Sequence, residues 1–267
     1  IYNQIWENVR KSGKEKLFKR MISISNILDH CGIHIKRKLF KQVYEAFGGN
    51  LEMLISGGSP VDEKYIKGFR DIGIKVVNGY GITELSPIVS TVRNKHYSPR
   101  SVGSVNPHID CRIKDGEVQL KGDTLFLGYY KDEQATAEAF DDEWFKTGDL
   151  GYLDEDGLLY ITGRIKNLII LSNGKNVAPE ELEALLSQNI PEIKEILVYG
   201  ANDQIVAEVY LDPDLQSDTK RIKARITEIN ISLPNHKQIA DVVFRDIEFP
   251  KTTTKKIKRD YSKGQVS

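Results

Sequence analysis

A strand–turn–helix–strand pattern in the first third of the chain limits the folds that this sequence can adopt. A short apolar run at 51–55 leads into SGGSP at 56–60, and residues 61–72 repeat apolar positions with helical spacing. A second apolar run at 74–77 ends in NGYGITE at 78–84. Strand, glycine turn, helix, strand and glycine turn is the pattern of a parallel sheet. Ligands bind at the carboxyl ends of parallel strands, so we expect both glycine-rich segments to line one crevice.

The N-terminal region, residues 1–47, has the spacing of apolar residues that is typical of helices. Breaks in the helical pattern are expected at 23–26 and at 31–32, where serine, asparagine and glycine occur. The many lysines and arginines of this region are interpreted as a solvated helix face, and peripheral contact with a membrane is the alternative.

The remaining sequence predicts a β-rich region and then a separate small unit. Between 88 and 164 short strands and turns alternate, with a tight hairpin at Asp115-Gly116, as in an antiparallel barrel-like subdomain. After Arg164 a helix beginning at Pro179 opens a compact α+β pattern. The predicted fold class is therefore α/β, a layered α/β sheet portion with a β-barrel-like subdomain and a small α+β C-terminal domain. The predicted boundaries are 1–164 for the large-domain portion (about 1–87 α/β, 88–164 β-rich) and 165–267 for the small domain.

Composition excludes several classes of protein. The chain has 267 residues and a formal net charge of +0, so no global field favours a nucleic-acid partner. Two cysteines fit a reducing, cytoplasmic location and exclude a disulfide framework. No apolar run reaches the roughly 18 residues of a membrane span, no signal peptide is present, and nothing specifies an oligomeric state. Because the chain opens on Ile1 within a helical pattern, we expect it to be a fragment of a longer protein.

The segment 78–84 contains groups that suit a nucleotide. Gly79 and Gly81 allow the backbone to approach a ligand closely, and Tyr80 offers a ring face for stacking. Thr83 offers a hydroxyl to a phosphate oxygen, and Glu84 offers a carboxylate to a hard cation such as magnesium. It is not a dinucleotide fingerprint, because Glu84 stands where a third glycine is required. A plain turn between strand and helix is the alternative.

The stretch 144–175 combines a predicted hairpin with charged corners. Apolar runs on either side of EDG at 155–157 predict the hairpin. Turns require glycine and aspartate but neither arginine nor lysine, so Asp149, Arg164 and Lys166 are candidates for contacts with ribose and phosphate. The alternatives are an Asx-turn for Asp149 and a surface corner for the two cations. We expect this stretch to be a hinge and half of a nucleotide site.

A basic run near the C-terminus has five cations: Lys251, Lys255, Lys256, Lys258 and Arg259. Three threonines among the lysines favour a loop that enters a site and grips phosphate, and a solvated tail is the alternative. The chain lacks a Walker loop, since no glycine stands at the required spacing before its Gly-Lys pairs.

Five segments occur together in the order of one family's motifs. They are SGG at 56–58, NGYGITE at 78–84, TGDLG at 147–151, GRIKNLIILSNGKNVAPEELE at 163–183 and FPKTTTKKIKR at 249–259. On these motifs the chain resembles the adenylate-forming (AMP-binding) superfamily. The sequences of the last three segments, and of EAFGGN at 45–50 and ATAEAF at 135–140, are most similar to the long-chain acyl-CoA synthetase (fatty-acid–CoA ligase) branch.

The resemblance implies a ligase that uses ATP, magnesium and CoA, and whose small domain is mobile. A fatty acid is first activated to an acyl-adenylate and is then transferred to CoA. The residues implied at the base, phosphate and metal are Gly57, Gly58 and Tyr80 for adenine, Thr83 for phosphate and Glu84 for magnesium, with Asn78 and Gly81 in the same segment. Asp149 and Arg164 are implied at the ribose hydroxyls. Lys166 is implied as the pivot, Gly174 at the pantetheine arm of CoA, and Lys256 as the adenylation lysine.

Two departures from the family pattern lead to further expectations. The glycine that precedes the catalytic lysine is Lys255 here, so Lys255 and Lys256 compete for the role, and spacing to Arg259 favours Lys256. The family's Ser/Thr/Gly-rich phosphate loop would lie before Ile1, so we expect the 267-residue chain to be inactive alone. The alternative functions are an acyl-acyl-carrier-protein synthetase or other acid–thiol ligase, and a non-catalytic nucleotide-binding module.

Overall fold

The computed structural model describes residues 1–58, 61–92, 98–213, 215, 218–253 and 256–259. The chain divides into two compact units, each of which is described by itself. The first unit comprises Ile1–Lys114, Gln119–Thr147 and Tyr152–Ile161, and the second comprises Asp115–Val118, Gly148–Gly151 and Thr162–Ser267. The predicted domain boundary after residue 164 stays a prediction.

Four helices form the N-terminal region: α1 (Tyr2–Lys11), α2 (Glu15–His30), α3 (Lys36–Leu39) and α4 (Lys41–Ala46). The break expected at 23–26 is wrong, because α2 continues through it. Its two serine hydroxyls donate to carbonyls of the preceding turn, Ser23 Oγ to Lys19 O at 3.1 Å and Ser25 Oγ to Ile22 O at 3.0 Å, so the helix accommodates them. The break at 31–32 is confirmed, and an additional one lies at Gly13, where φ is +69°.

The predicted strand–helix–strand unit is confirmed. It consists of β1 (Met53–Ser56), α5 (Glu63–Asp71) and β2 (Lys75–Gly81), and β1 pairs with β2 in parallel. Asp62 caps α5, since its carboxylate accepts from the backbone N–H of Lys64 at 2.9 Å. The aromatic and aliphatic side chains that α5 and β2 bury against the N-terminal helices form the first core, which includes Phe18, Phe40, Ile66, Phe69, Ile72 and Ile74.

The β-rich region continues the same sheet as β1 and β2. Its elements are β3 (Ile88–Thr91), β4 (Gly103–Val105), β5 (Asp110–Lys114), β6 (Glu117–Lys121), α6 (Glu133–Glu138), β7 (Phe140–Asp141), β8 (Trp144–Leu153) and β9 (Leu158–Arg164). The nine strands run in the order β1-β2-β3-β4-β9-β8-β6-β5, with β7 beside β8. Asp115 and Gly116, with φ of +53° and +81°, form the predicted hairpin turn. The α/β class is confirmed, and within the described residues the sheet stays open and does not close into a barrel.

The second unit has the α+β pattern predicted after Arg164, preceded by two short strands that the sequence did not predict, β10 (Ile169–Ile170) and β11 (Asn176–Val177). The predicted elements are α7 (Pro179–Asn189), β12 (Ile193–Ala201), β13 (Gln204–Leu211), α8 (Thr219–Ile231) and β14 (Ile239–Arg245). β13 is the central strand, antiparallel to β12 and parallel to β14. Pro179 occupies the first turn of α7, and Glu180 and Glu181 follow it as predicted. Leu182, Leu186, Val209, Ile222 and Ile226 lie in the core of this unit.

Among the residues that the structure describes, no helix combines the length and the apolar character that a membrane span requires.

Candidate active site

The carboxyl ends of β1 and β2 bring the two glycine-rich segments together, as the sequence predicts. Ser56, the last residue of β1, is in register with Asn78 of β2. Gly57 and Gly58 follow Ser56 directly, and both are exposed. Among the residues that the structure describes, none has an atom within 4 Å of a Cβ built at either glycine, so they leave the backbone at this edge open to a ligand.

The segment 78–84 is a strand and a short helical turn rather than one continuous loop. Asn78–Gly81 belong to β2, whose far edge pairs with β3 through Gly79, Tyr80 and Gly81. The prediction of a turn over the whole segment is therefore wrong for its first half. The backbone bends only at Thr83–Leu85, a single turn of 3-10 helix.

Two of the predicted ligand-binding residues have structural roles in β2. The buried side chain of Asn78 accepts from Val61 N at 3.2 Å and donates to Pro99 O at 3.2 Å, so it ties two loops to the strand. A Cβ on Gly81 would lie 2.1 Å from Pro87 O, which explains why glycine is required there. Their contact with a nucleotide stays a prediction. Tyr80 is half-buried beside them.

Thr83 and Glu84 lie on the 3-10 turn that follows β2, where Thr83 is exposed and Glu84 is half-buried. The Tyr129 hydroxyl donates to Glu84 Oε1 at 3.1 Å. The backbone N–H of Phe126 donates to the carbonyl of Glu84 at 2.8 Å. Burial, and then the bond to Glu84, raises the pKa of the Tyr129 hydroxyl, so it remains a proton donor at neutral pH. The segment 126–129 therefore fixes both the backbone and the carboxylate of Glu84.

The donors around Glu84 fit magnesium bound together with a nucleotide. Magnesium prefers oxygen ligands and is commonly held by one or two carboxylates plus substrate phosphates. Glu84 has a second carboxylate oxygen beyond the one that Tyr129 contacts, and the Thr83 hydroxyl lies next to it in sequence. In the described part of the chain, no cluster of three or more His, Cys, Asp or Glu side chains forms an all-protein metal site.

Asp149 and Arg164 form an ion pair. Asp149 lies on the buried face of β8, and Gly148 before it adopts a φ of +69° that bends the strand. Arg164 ends β9, and its Nε lies 2.6 Å from Asp149 Oδ1. Asp149 lies within the ten-residue strand β8. The Arg164 side chain is about half exposed.

The corner after Arg164 and the Gly-Lys loop are exposed turns in the second unit. Lys166 lies on the 3-10 turn Ile165–Asn167, and its side chain is exposed. Gly174 lies in the hairpin between β10 and β11, where its φ of +75° favours glycine. No atom lies within 4 Å of the position of a Cβ on Gly174, so the space above it is open.

Lys256 is exposed on a narrow loop that follows β14. The backbone N–H of Thr252 donates to Lys256 O at 2.8 Å, and Lys256 N–H donates to Thr252 Oγ1 at 3.1 Å. Lys251 and Ile257 form a β-bridge below this pair, and Lys258 N–H donates to Pro250 O at 2.9 Å. The competing residue, Lys255, lies outside the described residues.

The predicted site residues thus form two groups. In the first unit, Gly57, Gly58, Asn78, Tyr80, Gly81, Thr83 and Glu84 follow one another along the ends of two adjacent strands. The second unit contains Asp149 paired with Arg164, and it carries Lys166, Gly174 and Lys256 on separate turns. The sequence did not predict Tyr129, because no periodicity relates it to Glu84, 45 positions away.

Two family models match the chain over most of its length. The model described as AMP-binding enzyme matches residues 14–130, and the model described as AMP-binding enzyme C-terminal domain matches residues 166–265. The chain belongs to the AMP-binding enzyme family. The family is the adenylate-forming, acid–CoA ligase superfamily that the motifs predicted.

Relatives in the AMP-binding enzyme family act on different acids. A long-chain-fatty-acid–CoA ligase, FadD15 of Mycobacterium bovis, is 36% identical over 80% of this chain and 38% of its own length. An indoleacetate–CoA ligase of Aromatoleum aromaticum is 31% identical over 79% of this chain and 44% of its own length. The chain therefore spans less than half the length of these relatives.

A solved structure of the AMP-binding enzyme family has the same architecture. The O-succinylbenzoate CoA synthetase of Bacillus subtilis, in complex with ATP and a magnesium ion, superimposes with a TM-score of 0.66. It is 26% identical to this chain, and the matched region covers 83% of this chain and 49% of that one.

Proposed function

We propose that this chain forms part of an AMP-forming acid–CoA ligase that activates a fatty acid with magnesium-ATP and transfers it to CoA. In the first half-reaction a carboxylate oxygen of the acid attacks the α-phosphorus, and pyrophosphate leaves with the electrons of the broken P–O bond. In the second, a CoA thiolate attacks the acyl carbon, and AMP leaves. Both steps develop negative charge on phosphate or carbonyl oxygens, which fixed cations and N–H donors stabilise.

The first unit supplies groups for the nucleotide and its phosphates. Gly57 and Gly58 give a ligand access to the backbone at the end of β1, and the Tyr80 ring offers a stacking face. Thr83 donates its hydroxyl to a phosphate oxygen. Glu84, oriented by Tyr129, would hold the magnesium ion, which neutralises phosphate charge when bound.

The second unit supplies groups for the ribose and the reacting phosphorus. Asp149 accepts from the ribose hydroxyls, and Arg164, whose Nε lies 2.6 Å from the carboxylate, holds it in place. Lys166 lies at the corner about which the small domain turns, and Gly174 leaves open space beside the pantetheine arm. Lys256 bridges the carboxylate and the α-phosphate during adenylation.

The observation that carries the proposal is the exposed Lys256 on a loop held by backbone hydrogen bonds at its base. Adenylation requires a cation at the pentavalent phosphorus, whereas thioester formation requires that cation to leave. An exposed lysine on a domain that swings meets both requirements. A solvated tail, the alternative for this basic run, is disfavoured by the ordered pairing of Thr252 with Lys256.

The proposal specifies a fatty acid as the acid substrate. The sequences of the motifs and the similarity to FadD15 support a fatty acid as the substrate. The relatives that use indoleacetate and succinylbenzoate support a second candidate, an aromatic or dicarboxylic acid. We expect the enzyme to act in the cytoplasm, where ATP and CoA are available. Rates with a panel of C8–C18 fatty acids, indoleacetate and succinylbenzoate decide between the acids, and holo-acyl-carrier protein offered in place of CoA tests the acceptor.

Replacement of Lys256 by alanine in the full-length natural protein tests the mechanism. We expect ATP–pyrophosphate exchange with the preferred acid to fall by about 100-fold or more, because one charge-stabilising group is lost from the transition state. Thioester formation from supplied acyl-adenylate is expected to stay within about threefold of the parent, because the lysine is not used in that step.

The matched control is Lys258→Ala, which removes an exposed lysine two residues away. It should leave both half-reactions unchanged. Unaltered exchange in the Lys256→Ala protein would contradict the assignment of the lysine. No exchange in the parent protein with any acid would favour the non-catalytic nucleotide-binding module.

A further inference from the structure

The C-terminal end of the Lys256 loop is anchored by Arg259. Its Nη2 lies 2.6 Å from Glu183 Oε2 and 3.6 Å from Glu180 Oε1, and both glutamates project from α7. The side chain of Arg259 is 28% exposed and that of Glu183 is 15% exposed, so water screens this contact only partly. Only two residues separate Arg259 from Lys256, which leaves little slack between the anchor and the reactive amine.

Glu183 is itself fixed to the sheet of the second unit. Its Oε1 accepts from the backbone N–H of Val198 in β12 at 2.8 Å while Oε2 faces Arg259. Burial raises the pKa of the Glu183 carboxyl, and the charge of Arg259 acts in the opposite direction. Arg259 therefore favours the charged form of Glu183, and the pair ties the loop to α7 and β12 together.

The N-terminal end of the loop has a second anchor on β12. Lys251 Nζ forms ion pairs with Glu195 and, at 2.7 Å, with Glu248. The backbone N–H of Phe249 donates to Glu195 Oε2 at 2.9 Å. Lysine and arginine thus clamp the two ends of the loop, and Lys256 projects between them.

Glu180 connects the Arg259 anchor to the corner at Lys166. Asn167, the neighbour of Lys166, donates from Nδ2 to Glu180 Oε1 at 2.6 Å, the oxygen that also faces Arg259. Glu180 Oε2 is buried and has no hydrogen-bond partner among the described residues. This oxygen lies 2.8 Å from the position that a Cβ on residue 163 would occupy. A residue larger than glycine at position 163 would therefore displace the Glu180 carboxylate.

We propose that Arg259 is a positioning residue that presents Lys256 to the reacting phosphate, and that Glu180 couples this anchor to the corner about which the second unit turns. The inference rests on the proposed role of Lys256 in adenylation. A lysine side chain has a flexible four-carbon stem and a compact charge, so the position of its ammonium group is well defined only if the backbone of the residue is fixed. A displacement of about 1 Å at a reacting group can cost about 100-fold in rate.

The test compares Arg259→Gln and Arg259→Lys in the full-length natural protein. We expect Arg259→Gln to reduce kcat for ATP–pyrophosphate exchange by about 10- to 100-fold, with KM for ATP little changed. Thioester formation from supplied acyl-adenylate should stay within about threefold of the parent. Arg259→Lys restores the charge but not the planar guanidinium, and should recover part of the lost kcat.

Hydrogen exchange provides a readout that does not depend on activity. The amides of Thr252 and Lys256 are both hydrogen bonded across the loop. Arg259→Gln should accelerate exchange in the peptide 249–259 and leave β13 unchanged. Arg225→Gln is the matched control, because Arg225 is exposed on α8 and its nearest carboxylate, that of Glu228, lies 4.0 Å away.

Glu180→Gln tests the coupling to the corner. Because Glu180 acts through Arg259, the double variant Glu180→Gln/Arg259→Gln should be no slower in adenylation than Arg259→Gln alone. If the losses in adenylation rate of the two single variants multiply in the double variant, Glu180 acts independently of Arg259 and the proposed coupling is wrong.

Two further outcomes would overturn the role of Arg259. These are equal losses in both half-reactions, or a loop whose exchange does not change in Arg259→Gln. Failure of the proposed function is distinguishable, because the parent protein would then show no ATP–pyrophosphate exchange with any acid, and failure of the lysine assignment would leave exchange unaltered in Lys256→Ala. If Lys256→Ala abolishes adenylation and Arg259→Gln does not affect it, only the present inference fails.

Discussion

At the scale of single residues, Glu84 illustrates how a candidate ligand is oriented. A carboxylate on an exposed turn samples several rotamers, and each one places its oxygens differently. The Tyr129 hydroxyl fixes one oxygen of Glu84, and Tyr129 is held in turn by its backbone bond to Thr136 Oγ1 at 2.9 Å and by the edge of the Phe126 ring. The orientation of this candidate ligand therefore depends on a residue that would not itself touch a metal ion.

Removal of this hydroxyl by Tyr129→Phe should weaken magnesium binding. We expect the magnesium concentration that half-saturates ATP–pyrophosphate exchange to rise about tenfold, because partners that orient metal ligands typically contribute 10- to 100-fold to affinity. Titration calorimetry of the full-length natural protein should show a similar loss for magnesium-ATP and no loss for ATP without metal.

The neighbouring residue provides the control for that experiment. Tyr130 is 87% exposed, and Tyr130→Phe removes the same hydroxyl from a side chain that points to solvent. Equal behaviour of the two variants would contradict the orienting role of Tyr129.

At the scale of elements, the end of β2 depends on a close approach between two backbones. β2 and β3 are linked by a tight connection in which Ile82 N–H donates to Pro87 O at 2.9 Å and Ser86 adopts a φ of +55°. Gly81 lies against this connection, so its lack of a side chain permits the 3-10 turn that carries Thr83 and Glu84.

Gly81→Ala should therefore destabilise the first unit. A Cβ 2.1 Å from Pro87 O cannot be accommodated without movement of the backbone, and we expect a cost of about 1–3 kcal/mol in the free energy of unfolding. Urea denaturation followed by tryptophan fluorescence measures this change. Gly57→Ala is the comparison, since its Cβ would meet no atom within 4 Å and its stability should change by less than about 0.5 kcal/mol. Equal midpoints for the two variants would refute the steric explanation.

At the scale of the whole molecule, the chain has two separate hydrophobic cores. One packs α5 and β2 against the N-terminal helices, and the other packs α7 and α8 on the strands β12, β13 and β14. Separate cores allow local unfolding of one unit while the other stays folded. This organisation suits an enzyme whose small domain changes position between two half-reactions.

Leu186→Ala tests the independence of the cores. Leu186 is fully buried in α7, and the cavity should cost about 2–5 kcal/mol. Native-state hydrogen exchange should show faster opening of β12 and β13, with β2 and α5 retaining the protection that they have in the parent. Ile66→Ala, in the other core, should have the opposite pattern. Loss of protection in both units in either variant would mean that they unfold together.

Local signals in the sequence predicted most of the elements correctly. The helix that begins at Pro179, the Asp115-Gly116 hairpin and the parallel pair on either side of α5 all follow from caps, turn residues and periodicity, which act over a few residues. The errors also arose locally. Serines suggested a break in α2, and glycines suggested a turn where β2 continues, because hydrogen bonds and strand pairing outweighed weak propensities.

The sequence by itself determined the family, the order of the elements and the identity of the candidate residues, because motifs and periodicity are properties of the linear chain. Only the tertiary structure decided which side chains meet. The pairs Asp149–Arg164, Tyr129–Glu84 and Arg259–Glu183 join residues distant in sequence. Such pairs depend on strand register and helix packing, which are set by the burial of whole faces rather than by the residues that come into contact.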